Sequence, residues 1–533
     1  MTDRLIIRNA FMVDGSGSPG YKGDLLAQDG IIRELGIVSG SLGSVIDAKG
    51  KILCPGFIDM HRHCDVAALK EGFGKLELLQ GITTCVAGNC GMSPVPNAPR
   101  YRAQLQNYLA PCLGTFENET FSTHREYAER LRSILLPLDM FFFAGMGAIR
   151  IAVKGFSSAP FTSGELKAAR SLLQDALDEG AFGLSIGLMY VPELYSSTEE
   201  IAALASVMKG GRGILCTHMR WETEKLLLAV REVIDIAKKA EVPLEISHFK
   251  AAGVKAWGRV LHETIDLIEA ERAKGMDITV DFYPYDCGSS TMMQMLPPGY
   301  LSMGIEEAIA GLDKSENIQK MRKLLTEGEP GWDNLSKTIG WDRTVVSSVS
   351  LPENQQWWGL TVMECVKESG AADEAEFVAR LMHSEKGKVA IINRSMSQED
   401  IDTIAGLPYS SLISDALYGD MKGPHPRLTG AFPRFLRDFV RDRKVLSLET
   451  AIRKMTSQNA ARLGLTDRGL LAPGRRADML IFDTGEFRDT STFLTPTGHA
   501  EGLSYAFING RKVVENGRLT RGDGGAVLAS PRA

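Results

Sequence analysis

The chain has 533 residues, 44% of them apolar and 24% charged, with a formal net charge of −6. That length holds a large core plus an accessory unit, and the mild negative charge gives no basis for attraction to nucleic acid or to a membrane surface. Eight scattered cysteines form no disulfide framework at this size, residues 1–15 lack the apolar core of a signal peptide and no apolar run is long enough to span a bilayer, so the expected compartment is the cytoplasm, with thiols free to act as ligands.

Short strand-like pieces at Leu5-Ile6-Ile7, Gly30-Ile31-Ile32 and Val45-Ile46 alternate with glycine-rich turns, and they predict one part of a small β domain over residues 1–54. Residues 52–58 read as a single buried strand, followed by His61 and His63. Residues two apart in a strand project to the same side, so two imidazoles leave one strand end together, as half of a metal site. Apolar strand patterns then recur at 81–87, 140–145, 183–187, 213–217, 243–247, 276–282 and 411–414, with helical patterns at 163–179 and 226–239 among them. This alternation predicts an α/β fold, a parallel sheet closed as a TIM-type (β/α)8 barrel over residues 55–465. No phosphate-binding glycine signature follows the first strand, which disfavours an open doubly wound sheet. The rhythm breaks at about 288–348, where Met292-Met293-Gln294-Met295-Leu296-Pro297-Pro298 precedes a charged helical piece at 306–327 closed by Gly328. An insertion of this length predicts a lid whose methionines form adaptable walls for an apolar side chain or acyl group; plain helical decoration is the alternative. Strand patterns at 478–482 and 505–508 and the hairpin signal Asn509-Gly510 predict that residues 466–533 complete the small domain, a β-sandwich built from both termini.

A barrel places its active site at the C-terminal ends of its strands. The polar groups at those ends are His61 and His63, then Gly88-Asn89-Cys90-Gly91, His218, His248 and Asp415. Any one of them alone reads as a buried or loop residue; together they are donors suited to zinc.

The phrases that carry these residues resemble the amidohydrolase superfamily, and within it the N-acyl-D-amino-acid deacylase (D-aminoacylase) family. They include Gly56-Phe57-Ile58-Asp59-Met60-His61-Arg62-His63, Gly88-Asn89-Cys90-Gly91, Thr217-His218-Met219-Arg220, Ser247-His248-Phe249-Lys250, Tyr283-Pro284-Tyr285, Ser414-Asp415 and His425-Pro426-Arg427. The resemblance implies that Cys90, His218 and His248 hold a tight Zn2+. It likewise implies that His61, His63 and Asp415 form a second, weaker position, bridged by Cys90. No lysine in residues 182–190 is available to bridge two metals as a carbamate. It implies hydrolysis of the amide of N-acyl-D-amino acids, with Asp415 taking the proton of the attacking water and passing it to the leaving amine. Lys250, Tyr283 and Arg427 are expected to hold the substrate's free carboxylate, with Ser289 and Tyr190 lining the pocket. The partner is thus a small molecule; the oligomeric state is not specified. A cyclic-amide (hydantoin- or lactam-like) hydrolase and a non-catalytic scaffold are the alternatives. Met146 between two glycines, Cys64 beside the histidine pair and Trp221 after Arg220 depart from the family pattern and bear on acyl and side-chain preference.

Overall fold

Eight parallel strands carry the middle of the chain. In the computed structural model, which describes residues 4–40, 42–419, 423–493, 495–520 and 523–531, they are Phe57–Asp59, Ile82–Ala87, Asp139–Phe142 continued by Ala144–Gly145, Gly183–Gly187, Ile214–His218, Leu244–Ile246, Ile278–Phe282 and Ser410–Leu412. All are buried almost throughout, which is why they read as apolar runs rather than alternating ones. Helices between them cover the outer face. The helix Leu226–Ala240 buries Leu226, Ala229, Val230, Val233, Ile234 and Ala237 on one stripe. Capping boxes at Thr162/Glu165 and Ser197/Glu200 set the starts of two others.

The ladders form two arcs rather than one continuous ring. Phe57–Asp59, Ile82–Ala87 and Asp139–Phe142 make one arc; Ala144–Gly145 through Ser410–Leu412 make the other. The stretch 139–145 serves both, and the Phe182 amide donates to the Phe142 carbonyl at 2.8 Å across that seam. At the second seam Arg62 and Ala416 form an isolated parallel bridge, with His63 N–H donating to Ala416 O and Asp415 N–H to His61 O, both at 2.9 Å. The Asn459 amide donates to Ile58 O on one side of this seam and to Leu412 O on the other, at 2.7 and 3.4 Å. The histidine pair and Asp415 are therefore stitched together by backbone.

Both ends of the chain form a single nine-stranded sheet, in which Ile52–Pro55 lies between Arg4–Met12 and Met479–Phe482. The edge strand Ile31–Gly36 bridges back to Arg476, so one curled sheet, not two separate ones, encloses the core of Leu5, Ile7, Leu25, Ile32, Met479 and Phe507. The run 52–58 is not one strand: Pro55 ends the piece that pairs in the terminal sheet, and Phe57 begins the first barrel strand. Gly56 donates to Asp478 O at 2.8 Å at this joint, where any Cβ would meet Thr83 Oγ1 at 2.2 Å.

The insert is larger than 288–348. Its antiparallel sheet places Ala390–Asn393 between Gly288–Thr291 and Thr344–Ser348, so the unit extends to Asn393. It has its own core, including Met292, Met295, Tyr300, Leu312, Met321, Phe377 and Met382. The charged piece at 306–327 is two helices, Ile305–Ala310 and Ser315–Glu327, separated by a 3-10 turn at Gly311–Asp313.

Candidate metal centre and active site

His61, His63, Cys90, His218, His248 and Asp415 meet at the C-terminal mouth of the strands, each at most 7% exposed. Ligand-type atoms of His61, His63 and Cys90 lie within 4.8 Å of one another, and so do those of Cys90, His218 and His248. Cys90 is common to both groups. Its Sγ is 3.3 Å from His61 Nε2 and 3.4 Å from His248 Nε2. Asp415 Oδ1 is 3.5 Å from His61 Nε2 and 3.4 Å from His63 Nε2.

Three of these residues, Cys90, His248 and Asp415, have left-handed backbone, with φ of 54°, 36° and 51°. Side-chain-bearing residues are rarely held there unless their surroundings impose it, and such positions cluster at functional sites. The Cys90 loop shows what imposes it. Ser185, on the strand Gly183–Gly187, accepts from Gly91 N–H at 3.0 Å and donates to Gly88 O. A Cβ on Gly91 (φ 73°) would meet Glu193 Oε1 at 1.7 Å.

The electrostatics suit a cation. Burial lowers the proton affinity of His61 and His63 and pushes His218 and His248 well below the imidazole range, leaving neutral rings with free lone pairs. Burial, reinforced by Asp415, pushes the Cys90 thiol well above its ordinary range, so only a cation makes a thiolate favourable there. Among the described residues, His218 Nε2 and His63 Nδ1 are buried without a hydrogen-bond partner. Two imidazoles and a thiol around a shared point, with neutral rings and a buried ring nitrogen left over, fit Zn2+. Burial would raise the Asp415 carboxyl, but the Arg427 guanidinium and a hydrogen bond from His63 outweigh it and hold the group well below the carboxylate range.

A small cavity of about 60 Å³ is lined by all of the sequence-predicted site residues except His61. Arg427 Nη1 is 2.9 Å from Asp415 Oδ2, its guanidinium lies 4.7 Å from the Tyr283 ring centre, and Nη2 donates to Ser289 O at 3.4 Å. Lys250 Nζ is 2.7 Å from Glu222 Oε1 and 3.0 Å from His248 Nδ1. Tyr190 OH is 3.2 Å from His218 Nδ1.

Sequence reasoning missed Glu222 and Asp281. Glu222 stands four residues beyond His218 and is 3.1 Å from His248 Nδ1. Asp281 accepts from the His248 backbone N–H, and its Oδ2 lies 3.8 Å from His61 Nδ1, so it stands directly behind the donor cluster. Its place near the end of the strand Ile278–Phe282 is the signal that exposes it under the same strand-end rule that found the others. Of the departures from the family pattern, Met146 is fully buried, Cys64 Sγ lies 3.5 Å from Cys85 Sγ, and the Trp221 indole donates to Gly331 O of the insert at 3.0 Å.

Comparison with known proteins gives a consistent picture. Residues 399–514 match the Amidohydrolase family. The chain is 34% identical to an N-acyl-D-aspartate deacylase of Alcaligenes xylosoxydans xylosoxydans, over 98% of this chain and 94% of that one. A solved D-aminoacylase with a binuclear metal centre, in which one metal activates and the second attenuates, superposes with a TM-score of 0.81 at 30% identity, covering 99% of this chain and all of that one (100%). An N-acyl-D-glutamate deacylase from Bordetella bronchiseptica, solved with zinc and a phosphonate mimic of the tetrahedral intermediate, superposes with a TM-score of 0.81 at 28% identity, over 98% of this chain and 99% of that one. Barrel-type strands, a cysteine shared between two donor groups, and full-length likeness to these enzymes lead to one conclusion: the chain belongs to the N-acyl-D-amino-acid deacylase family of the amidohydrolases.

Proposed function

We propose that the protein is a zinc-dependent deacylase that hydrolyses N-acyl-D-amino acids to a carboxylate and a free D-amino acid. The observation that carries this reading is the pair of buried donor groups sharing Cys90 beside an ionised Asp415. Cys90, His218 and His248 hold the tight zinc; His61, His63 and Asp415 offer the second, weaker position.

A zinc held by Cys90, His218 and His248 would supply Lewis acidity for the scissile carbonyl and for the attacking water. Asp415, kept anionic by Arg427, accepts the proton of the attacking water at a carboxylate oxygen. The protonated Asp415 is then a strong acid, and it delivers that proton to the leaving nitrogen, which departs as an amine. Arg427, Lys250 and Tyr283 gather positive charge and one hydroxyl beside the site, and hold the substrate's α-carboxylate. Glu222 and the His248 backbone carbonyl fix the Lys250 ammonium while it does so. Ser289 and Tyr190 line the pocket. The D preference rests on the relatives.

We read residues 1–54 and 466–533 as one small β domain, and 55–465 as the catalytic unit; the shared nine-stranded sheet supports this division. Eight free cysteines, all buried, support a reducing cytoplasm as its place of work.

The deciding experiment is turnover of N-acetyl-D-amino acids, their L-enantiomers and hydantoin by the purified protein, with elemental analysis. Cleavage of the D series with zinc bound is expected. Cleavage of hydantoin alone, or absence of both metal and turnover, overturns the proposal.

A further inference from the structure

A second, much larger cavity of about 640 Å³ adjoins the site. It runs between the helix Arg102–Leu113 and the insert, and shares Met92, Met189 and Tyr190 with the small cavity around the donor residues. Its walls include Met293, Leu301 and Ile309, while the charged Glu306, Lys386 and Lys388 stand exposed at its rim. Asn107 and Glu306 hydrogen-bond across the two walls.

Lys250, Tyr283 and Arg427 line the small cavity, and none of them lines the large one. On the reading above, the α-carboxylate sits at those cations and the scissile amide beside Asp415. The group on the other side of that amide, the acyl group, then faces Tyr190 and the mouth of the large cavity. An acetyl group leaves nearly all of that space unfilled, whereas apolar cavities of roughly 300–1,000 Å³ enclose whole drug-sized ligands.

We infer that this cavity is an acyl-chain subsite, and that the enzyme's substrates are D-amino acids N-acylated with aliphatic chains of octanoyl to dodecanoyl length. This deepens the proposed deacylase function and rests on it. The competing occupant is the amino-acid side chain. It leaves the substrate from the same carbon as the carboxylate, and so departs from the cation end.

The test compares N-acetyl-, N-octanoyl- and N-dodecanoyl-D-alanine with N-acetyl-D-phenylalanine. Expected is a rise in kcat/KM of about fourfold per buried methylene along the acyl series until the space is filled. Two half-buried wall residues outside the catalytic machinery, changed separately as Ile305→Trp and Met293→Trp, should lower kcat/KM about tenfold for the dodecanoyl substrate and leave the acetyl substrate within about twofold. Dodecanoate binding by calorimetry, which needs no turnover, should exceed acetate binding and weaken in both variants. Cleavage of the acetyl substrate with no gain along the series overturns the inference and spares the deacylase reading. A gain from the phenylalanine side chain without one from acyl length gives the cavity to the side chain, and also overturns it. If no N-acyl-D-amino acid is cleaved, the deacylase reading fails, and the calorimetry still decides what the cavity holds.

Discussion

Asp415 sits between opposing demands: one oxygen faces the imidazoles of His61 and His63, the other the Arg427 guanidinium. Asp415→Asn keeps the shape and removes the proton acceptor, so kcat should fall by about 10²–10⁴-fold while zinc content at Cys90, His218 and His248 stays unchanged by elemental analysis. Arg427 touches Asp415, the face of Tyr283 and Ser289 O, so Arg427→Ala should raise KM and lower kcat together, not KM alone. Arg427→Lys should recover part of the kcat but not the KM, because an ammonium cannot make a two-pronged carboxylate contact; steady-state kinetics on N-acetyl-D-amino acids resolves the two effects. The donors were legible at this scale because His61, His63, Cys90, His218, His248 and Asp415 all follow apolar strand segments. Glu222 was not, because its meaning comes from Lys250 and His248, which reach it from another strand end.

At the scale of one element, the loop after Ile82–Ala87 depends on Ser185 and on Glu193, whose carboxylate accepts from Gly187 N–H at 2.8 Å and fills the space beside Gly91. Gly91→Ala has nowhere to put its methyl group, and its φ of 73° disfavours any side chain, so the variant should lose zinc as well as activity. Burial pushes the Glu193 carboxyl up from 4.5 to about 8. The unfolded chain gives up that proton near 4.5 and the folded one near 8, so between these values the folded state holds the extra proton and stability falls as pH rises. Glu193→Gln should flatten this part of the pH–stability curve, as read by denaturant unfolding across that range. The glycines flanking Cys90 announced a tight loop. Glu193 did not stand out, since a glutamate after Val191-Pro192 looks like a solvated turn residue and only the packed fold buries it.

At the scale of the whole molecule, strand periodicity exposed the barrel strands well, because burial on both faces leaves continuous apolar runs. The joint at Gly56 was hidden, since 52–55 and 57–59 are equally apolar yet belong to different sheets. The insert's end was hidden too, because Ala390–Asn393 returns to pair with Thr344–Ser348 across two helices. Phe57 of the first barrel strand packs against Phe432 at 5.6 Å and against Phe482 of the terminal sheet at 6.4 Å, so Phe482→Ala should cost about 3–5 kcal/mol in global unfolding rather than loosening the small domain alone. The same interleaving sets a timetable for synthesis. Ile52–Pro55 leaves the ribosome early, but its partner Met479–Phe482 follows more than 400 residues later, a wait on the order of tens of seconds at usual translation speeds. Throughout that interval one side of Ile52–Pro55 has no neighbour, so a nascent polypeptide released before Met479 never completes the terminal sheet.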